Sequence, residues 1–161
     1  MTYIISILFS FSLLFTAKSQ VNFASLVKVY KKGTLAEAKK ILQTIPEFQL
    51  GDLSTRDTLT GKIQDGQLTA YVKHSRTNLR LTFTDSVLYK SLYEQAEDAF
   101  KYSADLARGT RGNGFTRHWT TFSNYEGAKI GSLEVLLVTV TSENTDKIDH
   151  YELLLFPYHE N

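Results

Sequence analysis

Leu133-Glu134-Val135-Leu136-Leu137-Val138-Thr139-Val140 is the stretch on which the fold turns. Successive side chains of a β-strand point to opposite faces of its sheet. Here both sets are apolar: Leu133, Val135 and Leu137 on one side, Leu136, Val138 and Val140 on the other. Such a strand is covered on both faces, by helices on one and by a further sheet half or a partner subunit on the other. Working outward, Glu126-Gly127 and Ser142–Lys147 read as turns between three strands, Phe115–Tyr125, Ile130–Thr141 and Ile148–Phe156, with Pro157 closing the last.

Further upstream the period is also two. Leu59, Gly61 and Ile63 run into Asp65-Gly66, a hairpin signal, and Leu68, Ala70 and Val72 alternate after it. Beyond the polar stretch His74 to Asn78, Leu79, Leu81 and Phe83 alternate with Arg80, Thr82 and Thr84. These are three antiparallel strands with one apolar and one wet face each.

Elsewhere the period is helical. Asn22 caps a short segment whose apolar face is Phe23, Leu26, Val27 and Tyr30, and Gly33 interrupts it. Thr34 and Glu37 form a capping box before Leu35, Ala38, Leu42 and Ile45, and Pro46 ends that helix. Val87 to Lys90 fits either period. Ser91 and Glu94 form a second capping box before Leu92, Ala96, Ala99, Phe100, Ser103, Leu106 and Ala107, with Gly109 as the stop. The chain is therefore expected to be α+β: about six antiparallel strands with two or three helices, in the order α(α)-βββ-α-βββ. A tandem duplication with halves 20–85 and 86–161 and a single sheet are both compatible with that order. Ala36-Glu37 and Ala96-Glu97 are almost the only echo between the halves.

The N-terminus has a different character. From Thr2 to Thr16 there is no charged side chain, and the run is shorter than the roughly 20 apolar residues a spanning helix needs. It matches the apolar region of a secretory signal peptide, with Ala17-Lys18-Ser19 offering small residues where a signal peptidase reads. Residues 1–19 are thus expected to be a cleaved signal, Gln20 the new N-terminus, and 20–161 a single α+β domain in the periplasm or outside the cell. An uncleaved anchor is the competing expectation, disfavoured because Gln20 and Asn22 follow without a basic cluster.

Composition narrows the chemistry. The 161 residues contain 18 Lys plus Arg and 17 Asp plus Glu, and loss of Lys18 with the signal would balance the charges. A neutral chain lacks the basic face a nucleic-acid binder carries. Without cysteine there is no disulfide, thiolate nucleophile, lipoprotein anchor or thiolate-bound metal. No nucleophile elbow or comparable serine motif is present, so the expectation leans away from an enzyme, and no cofactor is implied.

Three groups of residues merit weighing. Arg117, Trp119, Thr121 and Tyr125 occur at even spacing on one strand, which puts them on one face as a surface for a protein, peptide or glycan. Cross-strand pairing and core filling is the plainer role for such aromatics. Among the four histidines, His118 and His150 with Glu152 would make a zinc or iron set for a metal-assisted hydrolase if the last strands align suitably. A one-residue slip in register would scatter that set, and ordinary half-exposed strand residues are the simpler account. Arg108 and Arg111 flank a glycine-rich stretch resembling an anion loop, although a helix C-terminus before it would repel anions. The function expected from these features is an exported, non-enzymatic binding protein of unknown ligand. The alternatives are the metal-assisted hydrolase and an oligomeric envelope-associated module, with no stable membrane insertion after cleavage.

Overall fold

The computed structural model describes residues 21–46, 48–51, 57–63, 65–73, 76–106, 114–125 and 133–157. The expected signal, the turn at Glu126-Gly127, His74, His159, and the Arg108–Arg111 loop with its Gly109 stop all lie outside them. The described chain is α+β, with helices, strands, a helix and strands again in the order the sequence implied.

Two short helices open the fold. α1 (Phe23–Tyr30) is capped by Asn22, whose side chain accepts from the Ala24 N–H. α2 (Leu35–Leu42) is capped by Thr34, which accepts from Glu37, while its hydroxyl donates back to the Glu37 carboxylate. They lead into strands β1 (Phe48–Leu50), β2 (Thr58–Ile63), β3 (Gly66–Lys73) and β4 (Arg76–Phe83). Helix α3 (Ser86–Ala99) follows, and then β5 (Phe100–Leu106), β6 (Phe115–Tyr125), β7 (Leu133–Ser142) and β8 (Ile148–Pro157). The eight strands among the described residues form one antiparallel sheet in the order β1-β2-β3-β4-β8-β7-β6-β5. The four early strands, β1 to β4, and the four late ones, β5 to β8, meet where β4 pairs with β8, Leu79 opposite Leu155 through Phe83 opposite Tyr151.

One sheet face carries the core. Leu59, Ile63, Leu68, Leu79, Leu81, Phe83, Phe122, Leu133, Val135, Leu137, Leu153 and Leu155 are buried there with Phe23, Leu26, Val27 and Tyr30 of α1, Ala38 and Leu42 of α2, and Leu88, Leu92 and Ala96 of α3. Burying each large aliphatic or aromatic side chain contributes about 1.5–3 kcal/mol, so this layer dominates stability. A line of rings threads it. Phe23 meets Phe100 edge-on at 5.8 Å, and Phe100 lies 6.1 Å from Phe122. Phe122 meets Tyr93 edge-on at 5.4 Å, Tyr89 stacks on Tyr151 at 4.4 Å, and Tyr151 stacks on Phe83 at 5.8 Å. Gly61 is needed for packing at the far edge, since a Cβ there would sit 2.4 Å from the Phe48 ring.

The third helix departs from expectation at both ends. It starts at Ser86 with Asp85 as its cap, whose carboxylate accepts from the N–H groups of Val87 and Leu88. Ser91 instead lies inside the helix, where its hydroxyl accepts from Gln95, and Gln95 accepts from the Phe23 N–H to tie α3 to α1. The helix ends at Ala99 rather than near Gly109. Phe100 is extended (φ −117°, ψ 142°), and the following residues pair with β6, Phe100 opposite Tyr125 through Leu106 opposite Trp119. Ladder pairing and insertion of the Phe100 ring into the core override a helical spacing that has no tertiary partner of its own.

Candidate functional site

Alternation along β6 sorts its side chains cleanly. Phe122 is fully buried on the helical side, Thr120 is buried too, and Trp119 and Thr121 lie half-buried on the opposite face. Arg117, exposed, stands on the same side as Trp119. Tyr125 is placed by its backbone, opposite Phe100.

Register then sets the neighbours of this stripe. Trp119 faces Val138 on β7, which faces Glu152 on β8, which faces Thr82 on β4. One row along, Thr121, Leu136, Leu154 and Arg80 follow one another across the same four strands. In the row on the other side, Arg117, Val140 and His150 do so across three. Neighbouring strands lie about 4.8 Å apart, so side chains in these rows touch or share a common hollow. That hollow is an open depression of about 300 Å³ lined by Arg80, Arg117, Trp119, Leu136, Val138, Glu152 and Leu154.

Its floor explains the two-sided apolar strand. Val138 and Val140 are 4% and 1% exposed, yet neither belongs to the core cluster under the helices. Trp119 and Glu152 flank Val138, and Arg117 and His150 flank Val140, so long side chains from adjacent strands give the second cover. Leu136 and Leu154 stay half-buried within the depression.

Charge is concentrated in the wall. The Glu152 side chain is 5% exposed and receives hydrogen bonds on one oxygen, Oε1, from Arg80 Nη2 at 2.5 Å and from His150 Nε2 at 3.1 Å. His150 Nδ1 lies 2.6 Å from Asp149. Burial pushes the Glu152 carboxyl up, but the hydrogen bonds from Arg80 and His150 and the positive charges of Arg80 and Arg117 outweigh it, leaving the group a stronger acid than usual. Arg80 is itself 48% exposed in its side chain. Among the described residues, Arg117 makes no hydrogen bond or ion pair, and only its field reaches Glu152. At the opposite end of the same face Glu134, paired with Phe156, is pushed up by burial.

The metal set does not assemble. His118 pairs with Thr139, on the register row between those of His150 and Glu152, and its side chain takes the face opposite theirs. Strand β7 also separates β6 from β8, so a direct approach of His118 to Glu152 is excluded by both parity and distance. Among the described residues no three His, Asp or Glu side chains gather in a form that would hold a metal ion. His150 and Glu152 do share a face, joined by a hydrogen bond.

Arg80 was missing from the sequence-based site. Its position between Leu79 and Leu81 marked a wet-face residue, but nothing local signals that β4 pairs with β8 and so delivers it to Glu152. A second depression, of about 310 Å³, lies by Gly51, Thr60, Gly61, Lys62, Gln67, Leu68 and Thr69, with Lys62 the one charged wall residue among those described. No protein-family model, curated protein or solved structure matches this chain.

Proposed function

We propose that the protein is an exported, non-enzymatic binding module that captures a protein, peptide or glycan on the open face of its sheet, at the depression beside Trp119. The observation that carries this is the grouping of a half-buried indole, two guanidinium groups and two half-buried leucines around one hollow, away from the core cluster. Aromatic and arginine side chains over a dry floor are the usual anchors of a recognition surface. Fixed side chains cost less ordering on binding, and the Arg80–Glu152–His150 hydrogen bonds fix one wall. Export rests on the uncharged apolar run Thr2 to Thr16 and the small residues at Ala17 and Ser19.

Glycan and peptide arrays probed with wild-type protein and Trp119→Ala test the binding role. The expected result is a defined set of ligands retained by wild type and weakened at least tenfold in the variant, with melting temperatures within a few degrees. Unchanged retention, or a collapse in melting temperature, would show Trp119 to be a packing residue. Mass spectrometry of protein recovered from the medium or periplasm tests export: a chain beginning at Gln20, cyclised, is expected, and an intact Met1 would contradict cleavage.

A further inference from the structure

The depression offers more than an adhesive patch, because its charges are unequally committed. Glu152 is occupied by Arg80 and His150 on Oε1, so the one carboxylate in the wall among the described residues is already neutralised. Arg117 is exposed and without a hydrogen bond among the described residues, and Arg80 spends Nη2 on Glu152 while about half of its side chain remains in water. The uncommitted charge is therefore positive, and it lies at the Arg117 end. Glu134 stands at the other end of the same strand face, beyond Leu136, where an anion would be repelled. Between the ends run Val138, Leu136 and Leu154, with Trp119 alongside.

We infer that this site takes the C-terminal carboxylate of a peptide whose last side chain is apolar, the carboxylate at Arg117 and Arg80 and the side chain on Leu136, Leu154 and Trp119. A guanidinium fork matches a carboxylate in shape and charge, and a charge-assisted hydrogen bond is about twice as strong as a neutral one. A chain end suits the site better than a free small molecule. Enclosed pockets bury about 70–90% of a small ligand, whereas this hollow of about 300 Å³ is open and holds one terminal group while the rest of the peptide stays outside. The inference rests on the binding role proposed above and specifies the partner for it.

The chain has a single tryptophan, Trp119, so its emission reports the site directly. Full-length mature protein is titrated with acetyl-Gly-Gly-Leu carrying a free carboxylate, with the same peptide amidated, and with cyclohexanecarboxylate. The free acid should bind at least tenfold more tightly than the amide and more tightly than cyclohexanecarboxylate. Arg117→Gln, a change at an exposed position, should remove the preference for acid over amide, and Arg117→Lys should keep part of it. Equal binding of acid and amide would overturn the carboxylate claim while leaving the apolar site standing. Tighter binding of cyclohexanecarboxylate would overturn the peptide in favour of a small ligand. If none of the three perturbs Trp119 while the arrays still yield Trp119-dependent ligands, the peptide-terminus assignment fails alone. Silence in both experiments removes the binding role as well.

Discussion

Glu152 is nearly sealed from water, yet Arg80, His150 and Arg117 favour its charged form strongly enough to outweigh burial. Its folded pKa lies below the ordinary 4.5, so its contribution to stability is complete above the unfolded value and is lost as pH falls through the folded one. Melting temperature of the wild type should therefore drop as pH is lowered below about 4.5, and Glu152→Gln should flatten that limb. Near neutral pH the same substitution should cost about 1–2 kcal/mol, at the lower end of charged hydrogen bonds because Arg80 is half-exposed. Glu134 has the opposite sign. Burial raises its pKa, so ionisation opposes folding once pH passes the unfolded value, and Glu134→Gln should melt higher than wild type at neutral pH and no higher at low pH. On β6, two aromatic side chains three positions apart have different roles. Phe122 is fully buried between Tyr93 and Phe100, and Phe122→Ala should cost about 3–5 kcal/mol. Trp119→Ala should cost well under half as much, as denaturant midpoints of the two variants would show.

At the scale of elements, α3 separates what sequence patterns carry from what they do not. Asp85→Ala removes the acceptor for two orphan N–H groups and should cost about 1 kcal/mol, whereas Ser91→Ala should cost less than half of that; chemical denaturation of both variants checks which residue caps the helix. A capping box at Ser91 and Glu94 was a correct local pattern in the wrong place, because the ambiguous Val87–Lys90 stretch extends the helix backward. β5 was illegible for a related reason. Phe100, Ser103 and Leu106 have helical spacing, and only the presence of β6 beside them makes extension preferable. By contrast β6 was legible to its ends, Phe115–Tyr125, since Gly114 (φ 80°) and a long alternation bracket it. The same alternation put Arg117, Trp119 and Thr121 on one face and Phe122 on the other without knowledge of any neighbour. β1 was missed because three residues carry too little pattern. His118 was matched to Glu152 by counting through turns. Register parity, which sends His118 to the helical side, is fixed by β7 lying between them and was not available from spacing alone.

For the whole molecule, the decisive contact is the pairing of β4 with β8, which joins strands about seventy residues apart, makes one sheet of the early and late strands, and brings Arg80 to Glu152. No local signal encodes that pairing, which is why the stripe on β6 could be read from sequence and the opposing wall of the depression could not. Two-sided apolarity of β7 did foretell a strand dry on both faces. Helices supply one cover and neighbouring side chains the other, so that Val138 and Val140 are buried apart from the main core. The proposed binding role requires the face around Trp119 to be a surface that partners occupy. Acrylamide quenching of the single tryptophan, in the free protein and with an array-selected ligand at saturation, tests it most directly. A readily quenched indole that becomes protected on binding is expected; an indole already shielded in the free protein, or one equally quenched with ligand bound, would show that partners do not occupy this face.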